Sequence, residues 1–187
     1  IAKDDKGPLV GAVGHSAGGY TVLALAGARP ELQRIRTHCS NDRAQDAIFC
    51  SMVRSDKPGG SPEQASPSIP LLKDERVRAV VALAPLGVVL AQESLSQVSV
   101  PTLVYAPELD RYLVPRFHSD WVAQNVPGVD TRTVRNAWHY AFMDVPSTPI
   151  ATVDGDIAAD PPGFDRQAFL KRLGKELPEF FDRVFRY

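Results

Sequence analysis

The run Gly14-His15-Ser16-Ala17-Gly18-Gly19 sets a serine among small residues. It follows a short apolar run at 9–13 and opens an Ala/Leu-rich stretch at 17–28. That is the strand–turn–helix context in which Gly-x-Ser-x-Gly holds a serine on a sharp, strained turn with its hydroxyl exposed. Side chains two residues before and after the serine are expected to clash, which assigns Gly14 and Gly18 to relieving that crowding. The following helix begins with unpaired N–H groups at its positive dipole end, so the N–H of Ala17 is a candidate oxyanion donor. A glycine-rich connector without chemistry is the alternative, and the flanking elements weigh against it. A phosphate loop is disfavoured, because the Lys-Ser/Thr ending is absent.

A serine hydroxyl attacks a carbonyl only when a base takes its proton, and that base needs an acid to orient it. On this kind of turn the chain order is serine, acid, histidine. Asp110 lies in the loop leaving a strand expected at 101–106, with Glu108 as runner-up in the same loop. Of the four histidines, His15, His38, His118 and His139, two follow Asp110. His118 falls inside a helix expected on the surface. His139 follows the last expected strand by a short loop, where the base belongs. His15 is expected to be a supporting or core residue. Trp138, Tyr140 and Phe142 are candidates for an apolar wall, and Leu86 for an acyl pocket. Trp138, Leu86 and Tyr140 are thus the candidate substrate contacts.

Strands that position these residues are expected at 9–13, 77–83, 101–106 and 131–134. The run Val-Arg-Ala-Val-Val-Ala-Leu at 77–83 is almost continuously apolar, as in a parallel strand covered on both faces. Helices are expected at 17–28 and 115–126, with a helical turn starting near 31–36. Phe169, Leu173, Leu177, Phe180, Phe181 and Val184 recur at helical spacing, and Pro178 is expected to kink or divide that helix. Residues 37–72, with Pro58-Gly59-Gly60 and three further prolines, read as a loop-rich excursion, and 144–163 as irregular. Strands alternating with helices imply an α/β fold with a mostly parallel sheet flanked by helices.

The chain has 187 residues, 44% hydrophobic and 23% charged, with a formal net charge of −1. This composition argues against global disorder and gives no electrostatic reason to expect nucleic acid or an anionic membrane as partner. No apolar run reaches the roughly 18 residues of a membrane span. Cys39 and Cys50 are the only cysteines and flank a polar stretch. A disulfide is the favoured reading and implies a periplasmic or secreted protein; two free thiols are the alternative. With His38 they fall short of a four-ligand metal site, so no metal and no cofactor is expected.

The Gly-His-Ser-Ala-Gly-Gly turn, Asp110 after its strand and the late His139 resemble the α/β-hydrolase superfamily. Within it the chain is similar to the bacterial predicted dienelactone hydrolases, related to the platelet-activating-factor acetylhydrolases. The resemblance extends through 14–28, 77–85, 95–115, 137–142 and Pro162-Gly163-Phe164-Asp165-Arg166. It departs in three ways. True dienelactone hydrolases use a cysteine nucleophile, so Ser16 points to a serine esterase. A glycine often precedes the catalytic histidine, where this chain has Trp138. In the superfamily the serine turn follows the fifth strand and a second oxyanion donor follows the third. Here eight residues precede the first expected strand.

The resemblance thus implies the C-terminal portion of one α/β-hydrolase domain lacking the N-terminal strands. An N-terminal hydrolase portion is then the expected partner, as a separate chain or outside this sequence. The activity implied is hydrolysis of a small-molecule ester by Ser16, Asp110 and His139 through an acyl-enzyme. A serine peptidase or amidase of the same fold and a non-catalytic hydrolase-like subunit are the alternatives.

Overall fold

The structure is a computed structural model that describes residues 8–53 and 69–186. Its four main strands are β1 (Val10–His15), β2 (Val77–Leu83), β3 (Thr102–Pro107) and β4 (Asp130–Val134). They form one sheet in chain order, and every neighbouring pair is parallel. Parallel neighbours need crossovers. Between β1 and β2 run α1 (Ala17–Leu25), α2 (Leu32–Asn41) and α3 (Ala47–Met52). The short α4 (Gln92–Leu95) joins β2 to β3. A 3-10 turn (Pro115–Phe117) and α5 (Ser119–Asn125) join β3 to β4. After β4 come a second 3-10 turn (His139–Phe142), a small hairpin of β5 (Ala151–Thr152) and β6 (Gly155–Asp156), and the long α6 (Arg166–Phe185).

Strand alternation explains why the central strands are apolar throughout. Val80 and Ala82 of β2 and Val104 of β3 join Val22 and Leu23 of α1 and Val122 of α5 in one core. Ala79, Val81 and Leu83, with Leu103 and Tyr105, point the other way. They meet Phe169, Leu173 and Phe180 of α6 in a second core. The parallel sheet flanked by helices is the architecture expected from the sequence. β1 is the edge strand of that sheet among the described residues, and its Val10 and Val13 are 39% and 44% exposed.

Several expectations change. The tract at 37–72 is not simply loop-rich: it begins inside α2 and contains α3, and 54–68 lies outside the described residues. Its polar composition masks an apolar face, since Phe49 and both cysteines pack with Val88, Tyr112 and Leu113. The disulfide Cys39–Cys50 joins α2 to α3. The helix expected at 115–126 is interrupted at His118, where a 3-10 turn gives way to α5. Pro178 does not divide α6. Apolar residues on both sides of it, Leu173 and Phe180, bury on the same core, which offsets the lost backbone hydrogen bond. The irregular segment at 144–163 contains the β5–β6 hairpin, whose two-residue strands are too short to leave a periodicity.

Candidate functional site

The site lies at the C-terminal ends of β1, β3 and β4. β1 ends at His15, paired with Leu83, and the chain turns through Ser16 into α1. Ser16 has φ 58° and ψ −118°, a left-handed conformation that strains a side-chain-bearing residue. Its N–H donates to Leu83 O and its carbonyl accepts from Leu86 and Tyr20 N–H, so the turn is tied to the end of β2 and to α1. A Cβ at Gly14 would sit 2.0 Å from the carbonyl oxygen of Gly18, as the motif demands. The other crowding position is not Gly18, where a Cβ meets open space. It is Gly19, where a Cβ would lie 2.8 Å from Pro85 Cα. The helix rises away from Gly18 and turns Gly19 onto the loop after β2.

The expected triad residues converge. Ser16 Oγ is 2.9 Å from His139 Nε2, and His139 Nδ1 is 2.7 Å from Asp110 Oδ2. A carboxylate accepts, so Nδ1 carries the proton and the bare Nε2 faces the serine hydroxyl. His139 and Asp110 are buried. The other carboxylate oxygen, Oδ1, accepts from the N–H groups of Tyr112 and Leu113, both at 2.9 Å. These two bonds fix the carboxylate plane, which fixes the imidazole. Glu108 turns elsewhere: it accepts from Arg135 and from the N–H of Asn136.

His118 is not on a surface helix. It is fully buried and donates Nε2–H to Asp46 Oδ2 at 2.9 Å, while its Nδ1 accepts from Gly87 N–H. Burial pushes its pKa down, against the pull of Asp46. His38 reaches the same Asp46 oxygen at 2.8 Å. Asp46 thus gathers histidines from α2 and from the start of α5. No motif marks this cluster in the sequence, because its members are spread over 80 positions.

The candidate substrate contacts divide. Tyr140 lies edge-on to His139, at 5.3 Å between ring centroids, and to Tyr112 at 5.2 Å. Burial pushes its phenol pKa up. Leu86 joins the edge of two apolar clusters while its N–H holds Ser16 O. Trp138 lies under the Arg111 guanidinium at 4.6 Å, and Arg111 pairs with Asp154 of the β5–β6 hairpin at 2.8 Å. Burial raises the Asp154 pKa, against the pull of Arg111. Phe142 packs on His15, Tyr105 and Phe169, toward the sheet. Ala17, the first residue of α1, is exposed beside Ser16. Tyr112 stacks on His139 at 5.3 Å between ring centroids, a contact that no motif marks. Its one sequence signal is its place two residues after Asp110.

No model of a known protein family matches the chain, and no curated protein does. Solved structures of hydrolases are similar to it. A predicted CIB-like hydrolase from Thermoplasma acidophilum has a TM-score of 0.45 at 14% identity, over 90% of this chain and 50% of its own. A puromycin hydrolase has a TM-score of 0.45 at 13% identity, over 94% and 22%. The carboxylesterase CesB from Bacillus subtilis has a TM-score of 0.34 at 15% identity, over 70% and 53%. The chain therefore spans about half or less of these three proteins' length. The chemistry of the site rests on its own residues.

Proposed function

We propose that this chain carries the serine nucleophile, base and acid of an α/β-hydrolase that cleaves small carboxylic esters through an acyl-enzyme. The observation that carries the reading is the hydrogen-bonded line Ser16–His139–Asp110, with the serine on a strained turn at the start of a helix. As Ser16 Oγ attacks the ester carbonyl, His139 Nε2 takes its proton and Asp110 stabilises the imidazolium. The carbonyl oxygen becomes an oxyanion facing the N–H of Ala17. Collapse expels the alcohol, which takes the proton from His139. Water, deprotonated by His139, then attacks the acyl-enzyme and releases the acid. Ser16 in place of cysteine favours an esterase over a true dienelactone hydrolase within the resembling group. The disulfide supports a periplasmic or secreted location.

In this reading residues 1–187 form the C-terminal portion of one hydrolase domain. The exposed apolar edge at Val10 and Val13 supports a further hydrolase portion that pairs with β1 and brings the second oxyanion donor. Native and denaturing mass spectrometry of the purified protein test this: mass beyond residues 1–187 is expected, on a second polypeptide or on the same one.

A fluorophosphonate probe tests the chemistry. Native protein forms a covalent adduct on Ser16, and Ser16→Ala forms none. Asp110→Asn lowers kcat on p-nitrophenyl esters by about 10³–10⁴-fold, because the wrong imidazole tautomer faces the serine. Faster cleavage of peptide anilides than of esters points to the amidase alternative. No adduct at Ser16 in the native assembly overturns the reading and leaves the non-catalytic subunit.

A further inference from the structure

Beside the triad stands a histidine that the hydrolytic steps do not use. His15 is the last residue of β1 and the immediate neighbour of Ser16. Its Nε2 lies 2.9 Å from the backbone carbonyl oxygen of His139. A carbonyl only accepts, so Nε2 carries a proton and donates. The two rings lie 4.8 Å apart, and Phe142 closes on the His15 ring at 5.5 Å.

The consequence is geometric. His139 begins a short 3-10 turn in the loop after β4. β4 is at the far end of the sheet from β1, with β2 and β3 between them. Nucleophile and base are therefore carried by opposite ends of the sheet. Sheet pairing does not set the distance between their backbones directly. The Asp110 carboxylate orients the imidazole of His139, and the bond from Leu109 N–H to Ala137 O ties its loop to the end of β3, but neither reaches β1. The bond from His15 fastens the His139 backbone to the residue next to the nucleophile. We infer that His15 is a positioning residue: by donating Nε2–H to the His139 carbonyl it sets the reach of the base to Ser16.

This deepens the serine-hydrolase reading and rests on it for its kinetic consequences. The same geometry also explains why a histidine here does not compete with the base. Its Nε2 proton is engaged with the backbone, pointing at the His139 carbonyl rather than at Ser16 Oγ. Burial, reinforced by the nearby His139, brings its pKa down to about 4, so it stays neutral where His139 must accept a proton. The bond to the His139 carbonyl and then the nearby Asp110 act in the opposite sense and are outweighed.

Three variants separate the hydrogen bond from the packing of the ring. His15→Gln places an amide N–H near the Nε2 position. His15→Phe keeps an aromatic ring without a donor. His15→Asn has a donor too short to reach. A displacement of the base by a fraction of an ångström is worth about tenfold in rate. His15→Phe and His15→Asn are therefore expected to lower kcat on p-nitrophenyl butyrate about tenfold with KM within twofold. His15→Gln is expected to recover to within about threefold of wild type.

A second readout does not depend on turnover. The proton between His139 Nδ1 and Asp110 is expected as a sharp downfield NMR resonance in wild type and His15→Gln, and broadened in His15→Phe and His15→Asn. If His15→Phe keeps both kcat and the sharp resonance, the positioning role fails. If His15→Gln falls as far as His15→Phe by both readouts, ring packing rather than the hydrogen bond is responsible, and the inference also fails. An inactive wild type whose resonance follows the expected pattern overturns the hydrolase reading and leaves the positioning role standing.

Discussion

Ser16 is held at a positive φ by its surroundings rather than by its own preference, and the two glycines that permit this are Gly14 and Gly19. Gly18→Ala puts a methyl into open space in the first turn of α1, a change expected to stabilise by up to about 1 kcal/mol. Gly19→Ala drives a methyl into the Pro85 backbone, and a loss of several kcal/mol or of soluble protein is expected. Thermal melting of both variants checks the pair. His15 makes a second prediction at this scale. Its pKa is depressed from 6.5 to about 4 in the folded protein, so between those values the unfolded chain binds the extra proton and the folded one does not. Stability is therefore full above about pH 6.5 and falls as pH drops toward 4, by roughly 3 kcal/mol from this group. Buried His118 acts in the same direction. Melting curves from pH 7 to 4 are expected to show a shallower loss for His15→Gln than for wild type.

Among the elements, the pair α2 and α3 reaches the site from outside the sheet. The disulfide joins the two helices, and the apolar cluster beneath them contains Tyr112, the residue stacked on His139. Asp46, with no exposed surface, anchors the pair to the start of α5 by accepting from His38 and His118 through one oxygen. Asp46→Ala strands two buried donors, each costing about 1–3 kcal/mol. Urea unfolding is expected to show a lower midpoint with little change in slope. Asp46→Asn keeps an acceptor oxygen at the same place and is expected to lose less. A midpoint for Asp46→Ala equal to wild type would mean that solvent reaches both histidines.

The whole molecule is asymmetric across its sheet. β2 and β3 are covered on both faces, whereas β1 leaves Val10 and Val13 in the open. Val13→Lys is expected to cost under about 0.5 kcal/mol in this chain, as surface substitutions do. Val81→Lys, which buries an unpaired charge between the helices, is expected to abolish folding. If a further hydrolase portion pairs with β1 as a separate chain, Val13→Lys also removes that polypeptide from the native mass spectrum. No helix among the described residues is long and apolar enough to cross a membrane.

Much of the site could be read from the chain, because its parts obey local rules. A strained serine turn needs glycine before it and a helix after it, and the order of acid and base follows the order of the strands. β2 matches its expected range, and β3 is displaced by one residue, because a parallel strand covered on both faces is an unbroken apolar run. Chain order and position after a strand also single out Asp110 and His139, whose side chains the fold lines up with Ser16. Other features arise only when distant segments meet. Gly19 rather than Gly18 faces Pro85 because the path of α1 is set by the loop after β2. His118, read as a surface residue, is buried because the chain breaks there to meet Asp46. α2 forms despite a polar sequence because the disulfide to α3 and an apolar face hold it down. Tyr112 against His139, and His15 against the His139 carbonyl, are contacts across the fold. The sequence by itself determined the strand and helix order, the strained serine turn and the candidacy of Asp110 and His139, since each obeys a periodicity, a steric limit or chain order. Only the tertiary structure decided how those groups are held to one another, because hydrogen bonds and packing between residues a hundred positions apart leave no local trace.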